Sequence, residues 1–357
     1  MNEKQFISWL GDVGILDFVR DNYGVFTSLI KDRLKANDEE FLIIGDKGYK
    51  NRRIPPIMAG CYLLAAKKLN IDYKFVIQEP KQRGEIADEN VIDSLKNLDK
   101  KNIIALSLSE RLGSLKSLGK SYRKFALKRH HKFISSPGMS CFLTNQMSSL
   151  INCINTDYSL IQEKGNYLKE IFDDAKEIRV MTRNGTDITF DVSRRKSVLN
   201  TGNFEQFSSG GNIPAGEVFI PPKENKTSGR VVIDGSIKTI SGTIIPKDPL
   251  HMTIEKGEVT DLSNCKEAIL LEQSLEWARR RTKKPLGVRK IGELGIGINP
   301  KASIIGPTLV NEKSLGTAHI AIGSNYWFGG RNHAIIHLDQ VFKNPVFEVD
   351  GVPVRVS

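Results

Sequence analysis

The sequence predicts an α/β N-terminal domain with a parallel sheet, followed by an α+β, strand-rich C-terminal domain that carries a metal site. Three observations predict it. Apolar runs alternate with helix-like stretches from Asp38 to Phe133, the texture turns to short strands after Lys176, and acidic and histidine residues gather in the last third. A chain of 357 residues exceeds the about 250 to 300 at which one core stops growing, so two domains are expected, 1–174 and 175–357.

The first domain opens its pattern with EFLIIG, then PPIMAGCYLLAAKKL, DYKFVI, ENVIDSLKNL and NIIALSL, the strand and helix alternation of a parallel sheet. The loop after the first strand, GDKGYKNRR, has neither G-x-G-x-x-G nor G-x-x-x-x-G-K-[ST], so no phosphate-cradling backbone and no nucleotide cofactor is expected there. Two helices, SCFLTNQMSSLINCI and TDYSLIQEKGNYLKEIFDDA, are expected to bridge the domains. The second domain begins with EIRVMT and DITFDV around a turn at Asn184-Gly185, and GRVVIDGSI, KTISGTI and HMTIEKGEV continue the strands. LSNCKEAILLEQSLEWARRRTKK then reads as an amphipathic helix with a basic exit.

The net charge is +11, and the densest basic run is Lys116 to Lys132. That run is expected to be a solvated helical face and not a nucleic-acid site, with His130 and His131 part of it. No stretch reaches about 18 apolar residues and the N-terminus lacks a leader pattern, which predicts a soluble, cytoplasmic protein with no membrane partner. Cys61, Cys141, Cys153 and Cys265 lack C-x-x-C spacing, so neither a thiolate zinc site nor a disulfide framework is expected.

Chemistry concentrates at Glu217, Glu293, Glu312, His319, His337 and Asp339. On a strand, His337 and Asp339 project from one face, and Thr317 to Ile322 alternates in the same way around His319. One such histidine is more often a hydrogen-bonded core residue than a ligand. Together with Glu217 and Glu293, however, the set offers two imidazoles and three carboxylates, enough for two divalent cations. His333 falls in a loop and is expected to be supporting or structural.

These residues lie in four blocks: Asn-Ile-Pro-Ala-Gly-Glu-Val-Phe (212–219), Glu-Leu-Gly-Ile-Gly-Ile-Asn (293–299), His-Ile-Ala-Ile-Gly (319–323) and His-Leu-Asp (337–339). In that order they resemble the aminopeptidase T and aminopeptidase S family of metallopeptidases, thermophilic-type leucyl aminopeptidases. EIRVMTRNGTDITFDVSRR resembles the family's Gly-Thr-Asp hairpin. The resemblance implies that Glu217, Glu293, His319, His337 and Asp339 hold two metal ions (zinc, cobalt or manganese), with Asp339 or Glu217 bridging. It implies Tyr326, seven residues after His319, as an oxyanion stabiliser, and Glu312 as general base, here seven residues ahead of His319 where the family has five. The implied activity is removal of N-terminal residues from short peptides by a homodimer. Ring-cleaving dihydroxypyridine dioxygenases are relatives of that family, and His319, His337 and Asp339 alone would make a 2-His-1-carboxylate set for one Fe(II).

Overall fold

The computed structural model describes residues 1–119 and 121–356, so Lys120 of the basic run lies outside the described residues. The chain forms two compact units, one of Met1–Asn155 with Gly202–Pro214 and the other of Thr156–Thr201 with Ala215–Ser357. The units meet in sequence at Asn155/Thr156, whereas the sequence reading set its boundary at 174/175. The second bridging helix, Tyr158–Asp174, belongs to the second unit, and a short later segment returns to the first.

The first unit starts with helices α1 (Glu3–Asp12) and α2 (Leu16–Ser28). Its sheet is built from β1 (Phe41–Asp46), β2 (Tyr73–Gln78), β3 (Ile103–Ser107) and β4 (Lys132–Ser136), in the order β2-β1-β3-β4 and all parallel. Every residue of β1 and β3 is buried, as expected of parallel strands covered on both faces. One face is covered by α3 (Ile54–Leu69), which starts at Pro55 and Pro56, where a missing N–H costs nothing, and ends on Asn70 in the left-handed conformation. On the other face α4 (Glu89–Asn97) turns Val91, Ile92 and Leu95 onto Leu42, Ile44, Ile104 and Leu106.

The basic run corrects one expectation. Helix α5 (Tyr122–Lys128) exposes Lys124 and Lys128, but the run ends inside the sheet. Lys132, on β4, is buried, 2.5 Å from Glu39 Oε1, and its ammonium also donates to the carbonyls of Leu34 and Lys35. His131 is fully buried, and Arg129 donates to the Leu98 carbonyl at the end of α4. Helix α6 (Met147–Ile154) closes this stretch.

The second unit begins with α7 (Tyr158–Asp174), capped by Asp157, and the hairpin β5 (Glu177–Met181) and β6 (Asp187–Asp191) around Asn184-Gly185, where Gly185 takes φ +102°. After β7 (Val198–Asn200), the strand β8 (Gly210–Asn212) joins the first unit's sheet beside and parallel to β4. The chain then gives β9 (Glu217–Ile220), β10 (Thr227–Ile233), β11 (Ser236–Thr239), β12 (Gly242–Ile244), β13 (Leu250–Glu255) and β14 (Glu258–Leu262). Helix α8 (Lys266–Arg281) buries Ala268, Leu271, Leu275 and Ala278 and ends in three arginines, which suit the negative end of its dipole. It is followed by β15 (Ile291–Gly297), the short α9 (Thr308–Asn311), β16 (Thr317–Gly323), β17 (His337–Lys343), β18 (Val346–Val349) and β19 (Val352–Val354).

Among the described residues these strands make two antiparallel sheets of seven, β14-β13-β10-β6-β5-β18-β19 and β12-β11-β17-β16-β15-β9-β7. The architecture is therefore an α/β N-terminal region with a parallel sheet and a strand-rich, antiparallel C-terminal region. No helix among the described residues is long and apolar enough to cross a membrane, and no disulfide joins the four cysteines.

Candidate metal centre

Four adjacent strands of the second antiparallel sheet, β17-β16-β15-β9, carry the site. Side chains alternate across a sheet, so residues two apart share a face. Pairing sets Glu217 opposite Gly297, Gly295 opposite His319, and Glu293 opposite Ala321, which in turn faces Asp339; His337 faces Gly323. Each bulky ligand thus has glycine or alanine as its lateral neighbour on one side. At Gly295 the reason is steric, since a Cβ there would lie 2.0 Å from His319 Nε2. Gly297 serves a second purpose, because a Cβ there would sit 2.2 Å from the Ser314 carbonyl and push away the segment after α9.

The donor atoms close into two triads, Glu217–Glu293–His319 and Glu293–His337–Asp339, each with one atom per residue within 4.8 Å of the others. His319 Nε2 lies 3.1 Å from Glu293 Oε1 and 3.9 Å from Glu217 Oε2. His337 Nε2 lies 3.4 Å from Glu293 Oε2 and 3.1 Å from Asp339 Oδ1. Glu293 is the member common to both triads, where the family resemblance had pointed to Asp339 or Glu217 as the bridge. The first triad is buried, while the side chains of His337 and Asp339 keep 27% and 15% of their exposure and form the open side.

Electrostatics follow from crowding acids and imidazoles out of water. His337 Nδ1 donates to the Ser324 carbonyl at 2.8 Å, which leaves Nε2 facing Glu293 and Asp339. Burial alone would lower the two imidazoles. The neighbouring carboxylates outweigh it, raising His319 to about 9 and His337 to about 10. Burial would raise Asp339, but the adjacent His337 holds it well below the usual carboxylate range. Imidazoles raised in this way would hold protons that a cation would have to displace on binding.

The residues fit a divalent cation. Glu293 Oε2 is buried with no hydrogen bond among the described residues, its facing group being the His337 imidazole at 3.4 Å, and a divalent cation would satisfy it where two carboxylates and an imidazole converge. Imidazole and carboxylate ligands suit zinc, manganese, cobalt and ferrous iron alike.

The remaining sequence candidates lie around this core. Glu312, at the end of α9, is buried and ion-paired to Lys313; burial lifts its carboxyl to about 8 in spite of that lysine. Tyr326 is half-exposed, its ring 3.8 Å from that of His333 and outside both triads. His333 sits in the loop before β17. Phe328 edges against His337 at 6.1 Å and against Phe219 at 5.2 Å, so an aromatic group borders the open side. Sequence reasoning missed Lys313, whose ammonium lies 2.7 Å from Glu217 Oε1. An adjacent Glu-Lys pair reads as solvated surface, and only its place between α9 and β16 could have hinted otherwise.

Comparison with known proteins places these features in a family. The sequence model of the 2,5-dihydroxypyridine 5,6-dioxygenase family (NicX) matches residues 142–356. No curated protein sequence matches the chain. The fold is similar to that of the 2,5-dihydroxypyridine dioxygenase of Pseudomonas putida KT2440, with 16% identity, a TM-score of 0.73, and coverage of 94% of this chain and 95% of that one. It is also similar to AmpT from Thermus thermophilus, with 14% identity, a TM-score of 0.60, and coverage of 94% and 97%. The peptidase resemblance therefore holds at the level of fold, while the family match corrects it toward the dioxygenase. Matched over more than half its length, including all five residues of the two triads, the chain belongs to the 2,5-dihydroxypyridine 5,6-dioxygenase (NicX) family.

Proposed function

We propose that the protein is an Fe(II)-dependent dioxygenase that opens a dihydroxylated nitrogen-heteroaromatic ring. The observation that carries this reading is the match of the dioxygenase family model over residues 142–356, which spans His319, His337 and Asp339; the structure gathers His337 and Asp339 with Glu293 in the half-open triad and keeps His319 in the buried one, 3.1 Å from Glu293. Bound there, a ferrous ion supplies the redox chemistry that lets dioxygen react with an electron-rich ring.

The chain's own residues prepare the site. The Ser324 carbonyl fixes the His337 tautomer, so that Nε2 is the atom presented to the cation. Glu293 turns one oxygen to His319 and the other toward His337, which ties the buried half of the cluster to the open half. Half-exposed Tyr326 and Trp327, with Phe328 at the edge of His337, offer flat faces on which an aromatic substrate can stack.

A second reading, a two-cation aminopeptidase using zinc, cobalt or manganese, is favoured by one observation: Glu217 and Glu293 both join the cluster, giving two triads that share a carboxylate. In that reading Glu312 would take the proton of the attacking water and Tyr326 would steady the oxyanion. One experiment separates the two. Protein reconstituted without oxygen with Fe(II) is mixed with 2,5-dihydroxypyridine and oxygen, and protein loaded with zinc, cobalt or manganese is mixed with aminoacyl p-nitroanilides. Oxygen uptake matched by loss of ring absorbance supports the dioxygenase; nitroaniline release without it supports the peptidase.

A further inference from the structure

Lys313 is the unusual member of this cluster. Its side chain is 1% exposed, yet it carries an ammonium, and it reaches Glu217 Oε1 at 2.7 Å as well as the carboxylate of Glu312. Its backbone is pinned on both sides: the Lys313 N–H donates to the Val310 carbonyl at 3.1 Å, and its own carbonyl accepts from the Asn299 N–H at 2.8 Å. Gly297 opens the space in which this segment lies against β15. The lysine is thus held in a backbone-anchored turn packed beside β15 and does not swing in from solvent.

We propose that the Lys313 ammonium holds the place of a second metal ion, so that the centre takes one divalent cation per chain, on the Glu293–His337–Asp339 side. This inference rests on the reading of the cluster as a metal site. A second cation would draw on Glu217, the carboxylate that Lys313 already engages. An ammonium and a dication on one carboxylate repel each other, and in this buried pocket little water screens that repulsion. The single charge of Lys313 is shared between Glu217 and Glu312, offsetting one of the two carboxylates from within the chain, and the buried triad supports the open one without filling. The count of ligands in the sequence overstates the number of metals because the charge of residue 313 is not a ligand.

The test is metal stoichiometry on the full chain, stripped with chelator and titrated separately with Mn(II) and Zn(II), with bound metal measured by elemental analysis. Wild type and Lys313→Arg are expected to bind one ion per chain, and Lys313→Met, which removes the charge at similar volume, is expected to bind two. Two ions in the wild type overturn the inference while leaving the metal site intact, and so does a folded Lys313→Met that still binds one. Failure of the wild type to bind either ion removes the metal reading itself, and the inference with it. Thermal unfolding reports whether each variant is folded; if Lys313→Met is not, Lys313→Gln takes its place, two ions supporting the inference and one overturning it.

Discussion

Gly295→Ala adds a single methyl group at the centre of the site. The new Cβ would lie 2.0 Å from His319 Nε2, 2.2 Å from Cε1 and 2.8 Å from Cδ2, whereas ordinary contact begins at 3.4 Å. The ring must therefore retreat by about 1.4 Å. The 3.1 Å approach of His319 to Glu293 does not survive such a shift, and His319 is fully buried, so nothing around it yields cheaply. Overpacking of this kind costs about 1–3 kcal/mol of stability. Misplacing a ligand by this distance should weaken metal binding by at least about tenfold to a hundredfold, the range seen when merely supporting groups are lost. Competition against a chelating dye measures the affinity, and thermal unfolding measures the stability. A variant with unchanged metal affinity and unchanged melting temperature would show that His319 is not held where the structure has it.

The same substitution at Gly24, exposed within α2 and with nothing near its would-be Cβ, should instead stabilise the protein by about 0.5–1 kcal/mol in denaturant unfolding. With His319 raised to about 9 and His337 to about 10, protons compete with metal, so affinity should rise with pH up to that range. Calorimetric titrations at pH 6.5, 7.5 and 8.5 should show it, by up to about tenfold per unit for each proton displaced. His131 is buried and accepts from the Asn102 N–H, and burial lowers it from 6.5 to about 4. The unfolded chain binds that proton first, so stability should fall as pH drops from about 6.5 to about 4, by at most about 3 kcal/mol, and His131→Gln should flatten the slope. Lys132→Ala leaves Glu39 and two carbonyls without their cation and should cost about 3 kcal/mol, read from the denaturation midpoint.

The parallel sheet was legible where strands are continuous apolar runs, as at Phe41–Ile44 and Ile103–Leu106, because two covered faces leave no polar alternation to confuse the pattern. β4 was hidden by Lys132, whose charge reads as surface until Glu39, 93 residues earlier in the chain, is seen to neutralise it. β8 had no side-chain signal at all. Its Gly210 is small because the Phe133 carbonyl comes within 2.3 Å of where a Cβ would be. In the site, His337 and Asp339 were legible from a spacing of two, and His319 from alternation within one strand. The sharing of Glu293 was not, since it follows from the lateral register of β15 against β16 and of β16 against β17, a long-range fact. Lys313 was invisible for a related reason: its partner Glu217 lies on β9, far away in the sequence.

The return of β8 to the first sheet has a consequence for how the chain is made. Residues 1–155 emerge from the ribosome with β4 as an open edge, its hydrogen-bonding groups unmatched on one side. The strand that covers it arrives only after residues 156–209 have been synthesised, a wait of about 3–11 s at about 5–20 residues per second. For that interval the nascent N-terminal unit presents a strand able to pair with other chains, and fragments that stop near Asn155 should carry the same liability permanently.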